Sequence, residues 1–390
     1  MYKIKILNNI SKVGLNRFTD RYQIAKDFTD EDAILLRSEN IHEYKFNENL
    51  KSIARAGAGI NNIPVDKCSE KGIVVFNTPG ANANAVKELV FAGLLLGSRK
   101  IYEGMQWVQT QKDNDNIAKD TEKQKKLYSG NELLHKNLGI IGLGSIGVQV
   151  ANLAIDFGMN VYGYDPFISL ANAWNLSRNV HHSDTIDEIL KNCDFISLHI
   201  PLNDKTKHII NADVISKMKP NMKVLNFSRD GLVDTDALLK GIESGIISKY
   251  ITDFPVQKLI GQENVLILPH LGASTAESED NCAYLAVKQT MDYLERGNIT
   301  NSVNLPDCSM DINGHVRICC IHKNVPKMLT QISDALSASN VNIENLMNKS
   351  KKELAYTMVD IAEKVNDEIL NKIKQIPGMI RVCTYNDNND

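Results

Sequence analysis

The chain has 390 residues, enough for two or three domains at about 150 residues each. Hydrophobic residues make up 43% and charged residues 23%, so each domain can bury a core of its own. Lys+Arg at 44 against Asp+Glu at 47 leaves a formal net charge of -3, which excludes a basic nucleic-acid footprint over the chain as a whole.

The first residues, from Met1 to Leu7, alternate like a strand and show no signal-peptide pattern. No apolar run reaches the roughly 18 residues of a membrane span, so no membrane role is expected. The seven cysteines (Cys68, Cys193, Cys282, Cys308, Cys319, Cys320 and Cys383) are odd in number and contain no CxxC pair. They fit reduced thiols in a cytosolic protein and give no zinc-type ligand spacing, so no metal is expected.

In chain order, Ala33–Leu36, Ser52–Arg55 and Ile73–Phe76 read as short apolar strands separated by helix-length segments, and Asn84 to Leu96 reads as a helix. That alternation predicts a parallel α/β sheet. Gln111 to Lys126 is polar and charge-rich and reads as a solvated helix or linker. A second βα series follows, with strands at Leu138–Ile141, Asn160–Tyr164, Phe195–Leu198, Lys223–Asn226, Tyr250–Thr252 and Val265–Leu268. Asn301 to Gly314 is turn-rich and suggests a linker. The next 75 residues or so read β (Val316–Ile321), α (Pro326–Ser337), β (Val341–Asn348), β (Leu354–Ile361), α (Asp367–Gln375), β (Met379–Tyr385). Residues 386–390 are rich in Asn and Asp and are expected to be disordered.

Gly142-Leu143-Gly144-Ser145-Ile146-Gly147 fits GxGxxG. The pattern alone is weak. Here an apolar strand runs into it, a helical pattern runs out to Phe157, and Asp165 follows about 20 residues on, at the end of the next strand. Gly142 permits a tight turn, Gly144 admits a pyrophosphate to the backbone, and Gly147 lets helix pack on strand. The helix N-terminus offers N–H groups and partial positive charge to phosphate. Asp165 accepts from ribose hydroxyls and repels a 2′-phosphate, so the cofactor expected is NAD, not NADP.

Three later strand ends carry polar residues: Ser197 to Leu202 with Thr206, Asn226 to Arg229, and Leu268 to Thr275. Open α/β sheets bind ligands beyond the carboxyl ends of their strands. Oxidising a 2-hydroxy acid needs a base for the hydroxyl proton and a cation for the carboxylate. His270 suits the first task because imidazole titrates near neutrality. Arg229 suits the second through paired N–H bonds.

These motifs (GIIGLGSIG, HIPL with the later Thr206, VLNFSR and LPHLGAST, with RAGAGINNI, VVFNTPGANA and VKELV upstream) resemble those of the D-isomer-specific 2-hydroxyacid dehydrogenases over nearly the whole chain. The resemblance implies two doubly wound parallel-sheet domains, a flavodoxin-like substrate domain (1–97 and 275–305) and a Rossmann NAD domain (98–274). It implies that Arg229 orients the carboxylate and His270 is the acid/base. Ser145, Ile146, Asp165, His199, Pro201, Thr206, Phe227, Ser228, Asp253 and Gly272 match positions near the cofactor. Arg37, Arg55 and Asn82 match substrate contacts in members that take a phosphorylated acid. The implied reaction is therefore oxidation of 3-phospho-D-glycerate to 3-phosphohydroxypyruvate, the entry to serine synthesis. The alternatives are a glycerate, hydroxypyruvate or D-lactate dehydrogenase, or a non-enzymatic NAD-sensing protein like the corepressor built on the same core.

The chain departs from the family pattern at Arg229-Asp230, where Arg-Gly is usual. It also lacks the Glu that pairs with the histidine: the segment reads Asp253-Phe254-Pro255-Val256-Gln257-Lys258 in a shortened loop. Asp253 is the substitute carboxylate on offer, and Glu263 lies seven residues before His270. Residues 312–390 resemble an ACT regulatory domain. By that resemblance His322, Asn324 and Asn342 would bind L-serine across an interface between two copies, with Lys327 standing where the family has Gly. The family also implies a homodimer or homotetramer.

Overall fold

The computed structural model describes residues 1–312, 316–363 and 365–386. They fall into two compact units, residues 83–275 and the rest. The stretch after Asn386 and the end of the expected linker, Asn313 and Gly314, lie outside the described residues.

The first unit holds a parallel sheet of β1 (Tyr2–Ile6), β2 (Tyr22–Ala25), β3 (Ala33–Leu36), β4 (Ser52–Arg55) and β5 (Val74–Phe76), ordered β2-β1-β3-β4-β5. This is the flavodoxin-like order. All four residues of β3 and all three of β5 are buried, as strands of a sheet covered on both faces should be. The helix Ala276–Arg296 returns to cover one face, where Cys282, Ala286, Val287 and Tyr293 share a core with Leu35, Ala54 and Phe76. The edge strand β2 escapes the sequence pattern because Tyr22-Gln23-Ile24-Ala25 is short and only Tyr22 is buried.

The second unit is a seven-stranded parallel sheet of β6 (Asn137–Ile141), β7 (Asn160–Tyr164), β8 (His181–His182), β9 (Phe195–Leu198), β10 (Met222–Asn226), β11 (Ile247–Thr252) and β12 (Val265–Ile267). Its order is β12-β11-β10-β9-β6-β7-β8. The direction of winding reverses between β6 and β9, and such a switch point opens a crevice at the carboxyl ends of those strands. The helix Ala83–Ser98, assigned to the first domain by the sequence reading, packs in this second unit. Its apolar face (Val86, Val90, Phe91, Leu94) shares a core with Leu138, Ile140, Phe227 and Ile251. Gly93 and Gly97 permit the approach: a Cβ would stand 3.0 Å from the Phe227 ring and 3.1 Å from Ile251, respectively. Within Gln111 to Lys126 a helix, Ile117–Gln124, buries no residue.

The C-terminal antiparallel sheet consists of β13 (Val316–Lys323), β14 (Ile343–Lys351), β15 (Leu354–Ile361) and β16 (Met379–Asn386), ordered β14-β15-β13-β16. Helices Met328–Ser337 and Asp367–Lys374 complete a βαββαβ sequence. This sheet is not tethered by a free linker. Cys319, Ile321, Tyr356, Met358 and Tyr385 share the core of the first parallel sheet. Asn304 in the linker accepts from Val75 N (2.9 Å) and donates to Ile73 O (2.9 Å), so its polar side chain serves neighbouring backbone as well as turning the chain.

Arg317 fastens the join. It is fully buried, faces Asp360 across the β13–β15 ladder, and meets that carboxylate with Nε at 2.6 Å and Nη2 at 2.8 Å. Its other N–H groups donate to Arg296 O (3.0 Å), Met310 O (2.9 Å) and Asp311 O (2.8 Å). Asp360→Ala leaves a buried guanidinium without its counter-charge and should cost about 3–5 kcal/mol in urea unfolding; a loss below about 1 kcal/mol would contradict the role given to this pair. Lys327 opens the helix Met328–Ser337 at φ +70°, a left-handed conformation that favours glycine. Lys327→Gly should therefore raise stability by about 1 kcal/mol in the same measurement, and a fall would show that the lysine side chain compensates the strain.

Candidate active site

The turn after β6 is shaped by clearance. Gly142 has φ +99° and donates to Tyr164 O at 2.9 Å, and a Cβ there would stand 2.5 Å from His199 O. A Cβ on Gly147 would stand 1.9 Å from Gly142 O. A Cβ on Gly144 would meet nothing within 4 Å. The first two glycines are thus required by the protein itself, and the third leaves the open cradle that a pyrophosphate needs. Helix Ser145–Asp156 starts there without a side-chain cap, presenting its first N–H groups. Ser145 and Ile146 form its first turn.

Asp165 follows β7 beside that cradle. Its Oδ2 accepts from Leu143 N and its Oδ1 from Phe167 N, both at 2.8 Å. The carboxylate is fixed against the glycine turn and keeps lone pairs for hydroxyl donors. Across the switch point, His199 Nε2 lies 2.9 Å from Ser197 Oγ, and Nδ1 is buried without a hydrogen-bond partner. Burial pushes this imidazole down to about 4, so it is neutral at physiological pH. Thr206 Oγ1 donates to Pro201 O at 2.6 Å and fixes the loop after β9. Ser228 Oγ donates to Leu198 O at 2.9 Å, joining the ends of β10 and β9, and Phe227 is buried beneath. These residues fit a dinucleotide: an open backbone cradle, an anchored acid and a neutral imidazole converge at one sheet edge.

The ends of β10 and β11 and the turn after β12 carry the candidate residues Arg229, Asp253 and His270. Arg229 is exposed in extended backbone, and its Nη1 donates to Ser228 O at 2.6 Å. His270 is exposed at φ +52°, a strained conformation for a non-glycine residue, with its ring 4.9 Å from that of Phe254. Asp253, directly after β11, is buried. Its carbonyl accepts from His270 N (2.8 Å) and its Oδ2 from Gly272 N (2.8 Å). Its Oδ1 is buried without a hydrogen-bond partner. Burial raises the Asp253 pKa, while the Gly272 amide and then the charges of His270 and Arg229 pull it back. The Asp253 carboxylate thus lies within electrostatic reach of both His270 and Arg229. Glu263 is elsewhere, beside Asp236, Lys240 and Glu243 at the amino end of β12. Lys258 ties the shortened loop to Asp236 (2.8 Å). Sequence reasoning gave no role to Asn226, whose side chain binds the Arg229 backbone; the available signal was a fully buried polar residue type at the end of an apolar strand.

In the first unit Arg37 and Arg55 follow and end the neighbouring strands β3 and β4, and Arg55 Nε donates to Arg37 O at 2.7 Å. Arg37 Nη1 pairs with Glu279 Oε1 at 2.7 Å, an ion pair the sequence did not signal. Asn82 Oδ1 is buried without a hydrogen-bond partner. In the C-terminal sheet His322 is buried, with Nδ1 2.8 Å from Lys323 O and Nε2 2.8 Å from Thr357 Oγ1. Asn324 and Asn342 are exposed, on Lys352 O (3.1 Å) and Glu344 Oε1 (2.8 Å).

Residues 91–272 match the family model for the D-isomer specific 2-hydroxyacid dehydrogenase, NAD binding domain. The chain is 34% identical over 325 residues to a D-3-phosphoglycerate dehydrogenase of Methanocaldococcus jannaschii, covering 80% of this chain and 59% of that one. It is 32% identical over 381 residues to the D-3-phosphoglycerate dehydrogenase of Escherichia coli K12, covering 93% of this chain and 88% of that one. Among solved structures it is similar to a 3-phosphoglycerate dehydrogenase of Entamoeba histolytica with NAD+ bound (TM-score 0.62, 28% identity, 78% of this chain and 98% of that one). With the family model matched over residues 91–272 and a relative 32% identical over most of both chains, the chain belongs to the D-isomer specific 2-hydroxyacid dehydrogenase family.

Proposed function

We propose that this protein oxidises 3-phospho-D-glycerate to 3-phosphohydroxypyruvate with NAD. The observation that carries the reading is that Arg229 and His270 are held at the ends of the paired strands β10 and β11, by Asn226 and by the Asp253 carbonyl, on the side of the sheet that holds the glycine cradle. Bound NAD supplies a hydride acceptor. Arg229 holds the substrate carboxylate by paired N–H bonds. His270 takes the hydroxyl proton as the C–H hydride departs, leaving a 2-oxo acid and an imidazolium. Asp253 lies within electrostatic reach of that imidazolium and favours it. Gly142, Gly144, Ser145, Ile146 and Gly147 would hold the pyrophosphate, and Asp165 the ribose.

The phosphate is assigned to Arg37 and Arg55, whose adjacency on neighbouring strand ends supports a doubly charged anion, with Asn82 as a polar contact. The Arg37–Glu279 pair must open for this, which favours a ligand of greater charge than one carboxylate. The names of the relatives support the same substrate.

A regulatory reading rests on the βαββαβ order of the C-terminal sheet, which fits an ACT domain. L-serine would bind through the exposed amides of Asn324 and Asn342. Because His322 already has both ring nitrogens engaged, we assign it a supporting role beneath them. Assembly as a homodimer or homotetramer follows from the family. A cytosolic location is supported by cysteines that are all unpaired.

Purified protein with NAD and 3-phosphoglycerate should generate NADH absorbance, and His270→Ala should lower turnover by roughly 10²–10⁴. Near-normal turnover in that variant would reject the acid/base role. Arg55→Gln should lower kcat/KM for the phosphorylated acid by about tenfold or more while leaving unphosphorylated glycerate unchanged. Equal losses on both substrates would remove the phosphate assignment and favour a glycerate or hydroxypyruvate enzyme.

A further inference from the structure

Arg229 is exposed, and an exposed arginine explores many rotamers. Its backbone, by contrast, is fixed from both sides by one side chain. Asn226 is the last residue of β10 and is fully buried. Its Nδ2 donates to Arg229 O at 2.7 Å. Its Oδ1 accepts from Ser228 N at 3.2 Å and from Arg229 N at 3.4 Å. A single carboxamide therefore holds the N–H and C=O of Arg229 and closes the bend by which the chain leaves the strand.

The carboxamide is itself held. Nδ2 also donates to Tyr250 Oη at 3.3 Å, inside the sheet. The Asn226 carbonyl accepts from Thr252 Oγ1 at 2.8 Å. Tyr250 and Thr252 both belong to β11, the strand that leads directly into Asp253 and so bears on His270. The Asn226–Tyr250–Thr252 group thus connects the strand end that aims the guanidinium to the strand end that holds the imidazole loop.

We propose that Asn226 is a positioning residue for Arg229: its carboxamide, braced by Tyr250, sets the backbone from which the guanidinium reaches the substrate carboxylate. The proposal rests on the dehydrogenase reading for the identity of that carboxylate, and on the hydrogen bonds of the Asn226 carboxamide for the positioning itself. No other residue type of this size supplies the set. Asp retains the acceptor and loses both donor bonds. Leu retains volume and loses every bond, leaving the Arg229 carbonyl and two N–H groups without their partner.

The test is a double-mutant cycle of Asn226→Asp and Arg229→Lys in the full chain, read by KM and kcat and by calorimetric binding of oxalate to the NADH-bound protein. Asn226→Asp should raise KM for the 2-hydroxy acid and weaken oxalate binding by roughly 10- to 100-fold. Its NADH affinity should stay within about threefold of wild type. In the Arg229→Lys background the same substitution should have little further effect, because the group it acts through is already gone. Additive losses, or a loss of NADH affinity matching the loss of oxalate affinity, would show a general structural role and overturn the proposal. Should Asn226→Asp fail to fold, Tyr250→Phe removes only the brace and should weaken oxalate binding several-fold in the same Arg229-dependent way; unchanged binding overturns the proposal. A wild type that binds oxalate but oxidises no 2-hydroxy acid would sink the dehydrogenase reading, and the cycle would still judge Asn226. A wild type that binds no oxalate overturns both.

Discussion

Asp253 brings two acceptors to one turn: a main-chain carbonyl on His270 N and a carboxylate oxygen on Gly272 N. Together they hold the segment 270–272 against the end of β11, with His270 in a left-handed backbone conformation. The same carboxylate is buried, has one oxygen without a hydrogen bond, and feels the charges of His270 and Arg229. A carboxylate in that position attracts positive charge at its neighbours, and removing water from it strengthens the attraction. The candidate site of the second unit is organised around this buried carboxylate, which is bonded to the segment carrying His270 and lies within electrostatic reach of Arg229.

The remaining features serve to deliver that edge. A parallel sheet places all its strand ends on one side, and the reversal between β6 and β9 opens room for a nucleotide there. Gly142 and Gly147 are set by clearances to His199 O and to the turn's own backbone, and Gly144 by the space it leaves open. Asn226 and Ser228 lock β10 to its neighbours, so the cofactor side and the substrate side are held by adjacent strands of one rigid element. The absent family glutamate is understandable in this frame. The shortened loop runs toward Asp236 through Lys258 and Glu263 lies at the amino end of β12, whereas the Asp253 carbonyl accepts from His270 N.

Much of this was legible in the chain. The glycine turn, Asp165, Arg229 and His270 are read from residue types whose chemistry is specific and whose strand-end positions follow from the apolar runs before them. The β-strand pattern was clear where strands are buried on both faces, as in β3, β9 and β10, and faint at the edges, as in β2 and β8, where polar residues break it. The end of the first domain was misplaced because the helix Ala83–Ser98 is apolar enough to suit either sheet, and which face of which sheet it covers is a tertiary matter. The linker from Asn301 looked free because turn residues suggest loops; the structure uses Asn304 to satisfy strand backbone. Asn226 and the Arg37–Glu279 pair were invisible because each depends on a hydrogen-bond partner that the linear pattern does not place beside it.

The most direct measurement is a crystal structure of the protein with NADH and oxalate. The account predicts one oxalate carboxylate on the Arg229 guanidinium and an oxygen of the anion within hydrogen-bond distance of a His270 ring nitrogen, with Asp253 still holding Gly272 N. Oxalate seated away from Arg229, or a His270 ring turned from the anion and from Asp253, would contradict it.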